Sequence, residues 1–212
     1  MTKELLAENE KMVNYLINTG ILKTPKIIEA FRKIPRHFFV PGEFIEHAYD
    51  DIPLPTYAGQ TISQPYTIAF MTEQLEPKSG EKILEIGSGS GYQAALLGFC
   101  VAPKGKVITI ELEKELVEFA KKNLKKVNIK NVEVIQDDGK LGYSKEAPYD
   151  KTIITAAAAK VPEKVIEQLK VGGRLVAPVN SGFAQKMMVI DKISNKEFKE
   201  RNLGSFIFVP LR

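Results

Sequence analysis

The sequence is poor in the residues that several common classes of protein depend on: it has one cysteine, two histidines and no tryptophan. The lone cysteine, Cys100, excludes an internal disulfide and a multi-cysteine metal cluster, and we predict no metal site. No apolar run approaches the roughly 20 residues that a membrane-spanning helix needs, so we expect no membrane association. Because His37 and His47 both lie in the N-terminal region, no Ser-His-Asp set is evident.

Length and charge place the chain among ordinary soluble domains. Its 212 residues, with a net charge of +4, suit one compact unit. The densest basic group, at residues 121, 122, 125 and 126, has no neighbouring arginine and falls on a predicted helix, so we interpret it as a solvated face. We therefore expect no nucleic-acid partner. The first residues show no signal-peptide pattern, and we expect a cytoplasmic protein.

The first 78 residues predict helices around a long irregular stretch. The predicted segments are helices over 3–18, 25–34 and 65–75, and an irregular stretch over 35–62. Thr24 followed by Pro25 is typical of an N-cap and a first helical position. Long irregular stretches usually serve a function, so we treat residues 1–78 as a helical and substrate-loop extension.

From residue 79 onward, predicted strands alternate with predicted helices. The strands are 82–86, 106–110, 132–135, 152–155, 174–179, 187–193 and 205–211, and the helices are 91–100, 113–127 and one from 162 to 172–173. This order predicts an α/β fold with a mostly parallel seven-stranded sheet. The last two strands have no helix between them, so we expect an antiparallel pair at one edge. Residues 79–212 would form the ligand-binding part of the unit.

A glycine-rich turn follows the first of these strands. Gly87, Ser88, Gly89 and Gly91 lie between a strand and a helix, where glycines let the backbone approach a ligand closely. Dinucleotide-binding proteins favour GxGxxG, but Tyr92 stands where that pattern has its last glycine. This spacing disfavours a nicotinamide-dependent oxidoreductase. It suits S-adenosylmethionine, which carries no phosphate to cradle.

Acidic residues follow the next two strands. Glu111 ends the second strand, 20 residues after Gly91, where a carboxylate can accept both ribose hydroxyls. Asp138 and Gly139 follow the third strand, where a side chain or a backbone amide could reach the adenine amino group. Asp137 competes for that role, and the spacing does not separate the two aspartates.

Seven segments along nearly the whole chain are similar to one family. They are residues 34–41, 60–66, 84–95, 138–142, 147–150, 168–176 and 208–211. The Thr-Ile-Ser-Gln-Pro segment at 61–65 and the Gly-Gly-Arg-Leu-Val block at 172–176 are the most specific. The chain resembles the protein-L-isoaspartate O-methyltransferases. Departures at residues 56–59, Ala159 and Asn180 lie near the expected substrate mouth.

The resemblance implies a Rossmann-like class I methyltransferase fold and S-adenosyl-L-methionine as cofactor. The acceptor would be the free α-carboxylate of L-isoaspartyl residues in damaged proteins or peptides. Separately from the resemblance, we expect a monomer. The family's active-site serine corresponds to Ser63, and we assign the preceding Thr61 and Ile62 to cofactor binding. A carboxylate is already ionised at neutral pH, so we expect Ser63 to hold it rather than act as a base. The position of Ser63 before a predicted helix also suits an N-cap.

Other functions stay open at this point. The chain could methylate RNA or a small molecule, although no concentrated basic groove or nucleophile-activating group is evident. Ala156 follows the strand at 152–155, where amino-group methyltransferases have an Asn/Asp-Pro-Pro-aromatic motif. A non-catalytic protein that binds S-adenosylmethionine is a further alternative.

Overall fold

A seven-stranded sheet forms the centre of the molecule in a computed structural model that describes residues 2–181 and 184–211. Its strands are β3 (Lys82–Ile86), β4 (Lys106–Glu111), β5 (Val132–Gln136), β6 (Tyr149–Ile154), β7 (Leu169–Ser181), β8 (Ala184–Lys192) and β9 (Phe198–Phe206). A separate two-stranded hairpin precedes them, with β1 (Leu54–Pro55) and β2 (Thr61–Ile62). The helices are α1 (Thr2–Asn18), α2 (Pro25–Lys33), α3 (Pro65–Leu75), α4 (Tyr92–Val101), α5 (Lys114–Lys126) and α6 (Glu163–Glu167).

The strand order is β5-β4-β3-β6-β7-β8-β9. Strands β3 to β7 pair in parallel, whereas β8 and β9 add antiparallel to one edge. Apolar side chains of α3 and α4 pack on one face of the sheet and those of α6 on the other. The predicted α/β fold, with its mostly parallel sheet and antiparallel edge pair, is confirmed.

The N-terminal helices share a core with the sheet domain. Phe31 of α2 and Phe39 both contact the ring of Tyr92 at the start of α4, with centroids 6.1 and 5.1 Å apart. These side chains are fully buried. The same core includes Cys100, which is buried at the end of α4.

The predicted N-cap residue and first helical residue of α2 are confirmed, although the cap is not a side-chain hydrogen bond. Thr24 occupies the N-cap position, but its hydroxyl does not accept from the helix. It donates instead to Glu73 Oε2 at 2.7 Å, and the same carboxylate accepts from the backbone N–H groups of Lys23 and Thr24. A side chain 49 residues further along the chain thus accepts the hydrogen bonds at the start of α2.

The helix predicted from Pro162 to Gly172–Gly173 is wrong beyond its first turns. α6 spans Glu163–Glu167, and β7 begins at Leu169, which is paired with Tyr149. The pairing of β6 and β7 shifts register between Tyr149 and Lys151, so the glycines lie in a bulge of the strand. A positive φ serves a strand bulge as well as a helix end, and the sequence pattern does not distinguish them.

The last predicted strand is also misplaced. β9 spans Phe198–Phe206, and the chain then leaves β8. Beyond it, the carbonyl of Val209 accepts from Ala157 N–H at 2.7 Å, and Leu211 N–H donates to the carbonyl of Ala157 at 2.8 Å. Residues 209–211 therefore contact the loop after β6, which brings the end of the chain to the site described below.

The stretch at 35–62 is irregular, as predicted, apart from short 3-10 turns and the hairpin of β1 and β2. Its hairpin loop, Tyr57–Gly59, contacts α5 through Tyr57 and Phe119, with ring centroids 4.9 Å apart.

Across the described parts of the chain, no helix is both long and apolar enough to cross a bilayer.

Candidate active site

A cavity of about 620 Å³ opens at the carboxyl ends of β3, β4 and β6. The chain runs from β3 to β4 on one side and returns to β6 on the other, so the cavity lies where the strand order reverses. Open α/β sheets bind ligands at such a switch point. The cavity is lined by residues 60–61, 86–87, 89, 110–113, 116, 139, 155–156 and 209–211.

The glycine turn after β3 forms the floor of this cavity. Gly87 and Gly89 line it, while the buried Ser88 lines a smaller adjoining cavity of about 430 Å³. Gly87 has φ +93°, and a Cβ there would lie 2.5 Å from Thr155 Oγ1. Gly91 lines neither cavity. A Cβ on Gly91 would lie 3.2 Å from the Cα of Ala120, so this glycine brings α4 against α5.

Glu111 lies at the rim of the cavity with its carboxylate fixed by backbone groups. Oε1 accepts from the N–H groups of Leu112 and Glu113 at 2.8 and 3.1 Å, and Oε2 accepts from Gly89 N–H at 2.9 Å. The side chain is buried yet lines the cavity. Each carboxylate oxygen has two lone pairs, so Oε2 retains capacity for a ligand hydroxyl.

The two aspartates after β5 lie outside the cavity lining. Asp138 caps the short 3-10 turn Gly139–Leu141, its Oδ1 accepting from Lys140 N–H at 2.9 Å. Asp137 is exposed, and its Oδ1 accepts from Asp138 N–H at 2.8 Å. Gly139 does line the cavity. The structure thus brings Gly139 to the site and engages both carboxylates with nearby backbone.

The segment Thr61–Ser63 forms the opposite wall. Thr61 lines the first cavity, while Ile62 and Ser63 line the adjoining one. Within residues 2–181 and 184–211, the hydroxyl of Ser63 makes no hydrogen bond, and the N-cap position of α3 belongs to Gln64. Ser63 therefore does not cap this helix, and its hydroxyl is available to a ligand.

Two side chains from the irregular stretch hold this segment in place. Arg36, fully buried, donates to the carbonyls of Ala48 and Ser63 at 2.6 and 3.1 Å. Burial lowers the pKa of Arg36 to about 10, so the guanidinium is still charged at neutral pH. Asp51 accepts from the side-chain amide of Gln64 and the N–H of Tyr66 at 3.0 and 2.8 Å, which caps α3 from outside.

Thr155, after β6, lies between the first cavity and a larger groove. It lines the first cavity, the adjoining cavity and also a groove of about 1430 Å³. Its hydroxyl donates to the carbonyl of Gly87 at 2.6 Å and fixes the glycine turn. The sequence reasoning missed Thr155 and Arg36. The position of Thr155 after a central parallel strand was the available signal for the first; nothing in the local pattern marks the second as buried.

The histidines lie outside the described cavity linings. His37 is buried against the hydroxyl of Tyr49, and burial together with the charge of Lys126 lowers its pKa. His47 is exposed and pairs with Asp50 at 2.8 Å. One histidine is thus packed in the interior and the other lies on the surface.

A Rossmann-like sheet with a glycine turn after its central strand and an acidic residue at the end of the next is the architecture of class I methyltransferases. Residues 7–212 match the family described as protein-L-isoaspartate(D-aspartate) O-methyltransferase. The chain belongs to this family. The family and the fold class predicted from sequence are confirmed. The predicted enzyme class, a protein carboxyl O-methyltransferase, is confirmed as well.

Individual relatives agree with this assignment. The chain is 45% identical over 203 residues to a protein-L-isoaspartate O-methyltransferase of Methanopyrus kandleri, covering 95% of this chain and 90% of the relative. It is 49% identical over 187 residues to protein-L-isoaspartate O-methyltransferase 2 of Archaeoglobus fulgidus, covering 88% and 85%. A solved protein-L-isoaspartate O-methyltransferase superposes with a TM-score of 0.87 at 31% identity, covering 95% of this chain and 65% of that one.

Proposed function

We propose that this chain transfers the methyl group of S-adenosyl-L-methionine to the free α-carboxylate of L-isoaspartyl residues in damaged proteins and peptides. The observation that carries this is the Ser63 hydroxyl, which makes no hydrogen bond within the described residues and lines both the adjoining cavity and the larger groove. A carboxylate has a reference pKa near ~4 and is ionised at neutral pH, so the site needs no general base.

The residues around the first cavity and the adjoining one fit the cofactor. Ser88 Oγ is buried without a hydrogen-bond partner in the described chain, an orphan that a bound ligand would satisfy. Glu111 Oε2 would accept from the ribose, while Gly87, Gly89 and the backbone of Gly139 allow close approach. When bound, S-adenosylmethionine supplies an electrophilic methyl group on a sulfonium. Thr61 and Ile62 close the site from the opposite wall and exclude water.

Ser63 holds the acceptor. Its hydroxyl donates to one carboxylate oxygen and leaves the other facing the cofactor cavity. Arg36 and Asp51 fix the backbone on either side, so the hydroxyl is placed before the substrate arrives. Such positioning accounts for catalysis without an activated nucleophile, because correct alignment of two bound reactants lowers the barrier by up to ~7–11 kcal/mol.

Two peptides that differ only in an Asp or isoAsp linkage test the reaction. Incubation with methyl-labelled cofactor gives base-labile label in the isoAsp peptide alone. The Ser63→Ala variant loses rate by about tenfold or more, because one hydrogen bond to a charged group contributes ~1.5–3 kcal/mol, and it retains affinity for S-adenosylhomocysteine. Ser144→Ala, an exposed serine at the amino ends of the strands, keeps the wild-type rate. Equal labelling of both peptides contradicts the proposal.

We also propose that the protein acts as a cytoplasmic monomer and does not use nucleic acid as substrate. The larger groove has no charged residue among its described lining residues, and an uncharged groove does not attract a phosphate backbone. Light scattering is expected to give a mass of about 23.6 kDa, and RNA incubated with labelled cofactor acquires no label.

A further inference from the structure

The groove beside Ser63 is larger than the acceptor carboxylate requires. Its volume, about 1430 Å³ including the solvent at its mouth, is more than twice the about 620 Å³ of the first cavity measured in the same way. It is continuous with the cofactor side of the site through Thr61, Ser63 and Thr155. An isoaspartyl residue at Ser63 therefore leaves most of the groove to the polypeptide on either side of it.

The wall away from Ser63 is apolar and held in place. Phe206 packs on Phe70 with ring centroids 5.0 Å apart, and Phe208 N–H donates to Gln185 Oε1 at 2.8 Å. Between them, Ile207 is 91% exposed, more than any other large hydrophobic side chain in the parts of the chain that are described. An isolated exposed isoleucine needs no explanation, but Ile207 lines the same groove as its aromatic neighbours.

The absence of charge from the described lining of the groove limits which side chains it binds favourably. Its described lining residues are apolar or neutral: Pro53, Thr61, Ser63, Gln64, Tyr66, Thr67, Thr155 and residues 205–209. A charged side chain entering such a surface loses hydration without gaining an ion pair, whereas an apolar side chain covers Ile207 favourably.

We infer that this groove is a subsite for an apolar side chain next to the isoaspartyl residue in the substrate, with Ile207 as a specificity-determining residue. The inference rests on the proposed function, since it assigns the residue beside the acceptor. It makes the enzyme selective for damage sites with apolar neighbours, without any contact to the reacting atoms.

Steady-state methylation of a matched set of isoAsp peptides tests the subsite. The peptides carry Leu, Asp or Lys at the position before or after the isoaspartyl residue. At one of the two positions, kcat/KM for Leu is expected to exceed that for Asp and Lys by about tenfold, mainly through KM, because about two buried methylene groups give this factor. Ile207→Ser reduces the preference to within about twofold, because the apolar neighbour then has no isoleucine side chain to cover.

Ile193→Ser is the matched control, because Ile193 is also exposed but lies in the turn between β8 and β9, outside the lining of the groove. This variant keeps the full preference. Equal kcat/KM for all neighbours in the wild type, or an undiminished preference in Ile207→Ser, overturns the subsite while leaving the proposed function intact. Failure of every isoAsp peptide to become methylated overturns the proposed function and the subsite with it.

Discussion

At the scale of single residues, Glu111 shows how the backbone prepares a ligand contact. Its carboxylate is oriented by the N–H groups of Gly89, Leu112 and Glu113, two of which follow it directly in sequence. The glycine turn and the end of β4 are thus joined through one side chain. Loss of its charge is therefore expected to affect both the turn and the ribose contact that we propose.

Glu111→Gln is expected to weaken binding of S-adenosylhomocysteine by about tenfold to a hundredfold, since a hydrogen bond to a charged group contributes ~1.5–3 kcal/mol. The amide keeps the shape of the carboxylate but has one acceptor oxygen for three backbone donors. Calorimetric titration measures the dissociation constant. Glu115→Gln, an exposed position in the first turn of α5, serves as control and keeps wild-type affinity. An unchanged affinity in Glu111→Gln removes this residue from the cofactor site.

Local sequence patterns predicted some residues of the site and missed others, and the difference has a physical reason. Glu111 and the glycines lie at strand ends, and the carboxyl ends of parallel strands meet at one edge of a sheet, so local pattern predicts them. Arg36 reaches the site through contacts with Ala48 and Ser63, 12 and 27 residues away. Such long-range contacts leave no periodic signal in one sequence.

At the scale of elements, the turn between β3 and α4 depends on close packing with the end of β6. Thr155 occupies the space that a Cβ on Gly87 would need.

The errors in the sequence prediction also arise from tertiary contacts. Leu169 is paired with Tyr149, so a segment predicted as helix belongs to strand β7. Boundaries set by partners elsewhere in the sheet are not encoded by local spacing.

Gly87→Ala is expected to reduce cofactor affinity by more than tenfold, because the added methyl group meets Thr155 Oγ1 at 2.5 Å and displaces the turn. Gly80→Ala is a matched control: Gly80 has φ +89°, close to the +93° of Gly87, but no atom lies within 4 Å of an added Cβ. Both variants carry backbone strain of order 1 kcal/mol or more. Titration with S-adenosylhomocysteine separates them, and equal losses of affinity would attribute the effect to strain alone.

At the scale of the whole molecule, a buried acid in the central strand links stability to pH. Glu85 of β3 is fully buried, and neither carboxyl oxygen has a hydrogen-bond partner within the described residues. Burial, with the negative charge of Glu111 acting in the same direction, raises the pKa of Glu85 to about 8. The folded protein therefore keeps this group protonated at neutral pH, whereas the unfolded chain releases the proton above its ordinary pKa of 4.5.

This difference predicts that stability falls as pH rises from about 4.5 to about 8, because the folded state binds more protons than the unfolded state over that range. Glu85→Gln removes the contribution, so the variant gains stability relative to wild type at pH 8, on the order of 1 kcal/mol for each unit of pKa shift. Urea unfolding at pH 5 and pH 8 measures it. Glu81→Gln, a partly exposed position just before β3, is the control. Parallel pH profiles for wild type and Glu85→Gln would contradict the raised pKa.

We propose that residues 1–78 and 79–212 form one folding unit. Without the N-terminal segment, Tyr92 loses Phe31 and Phe39, and a fully buried aromatic side chain becomes exposed beside Leu96 and Cys100. We expect a fragment of residues 79–212 to lack cooperative thermal unfolding and to bind a hydrophobic dye. In a fragment of residues 7–212, the described side chains that are removed, those of residues 3–6, are exposed or partly exposed, so we expect it to unfold like the full chain. Cooperative unfolding of 79–212 at the full-length midpoint would instead make the N-terminal segment an appendage, and its contribution would be confined to holding Ser63.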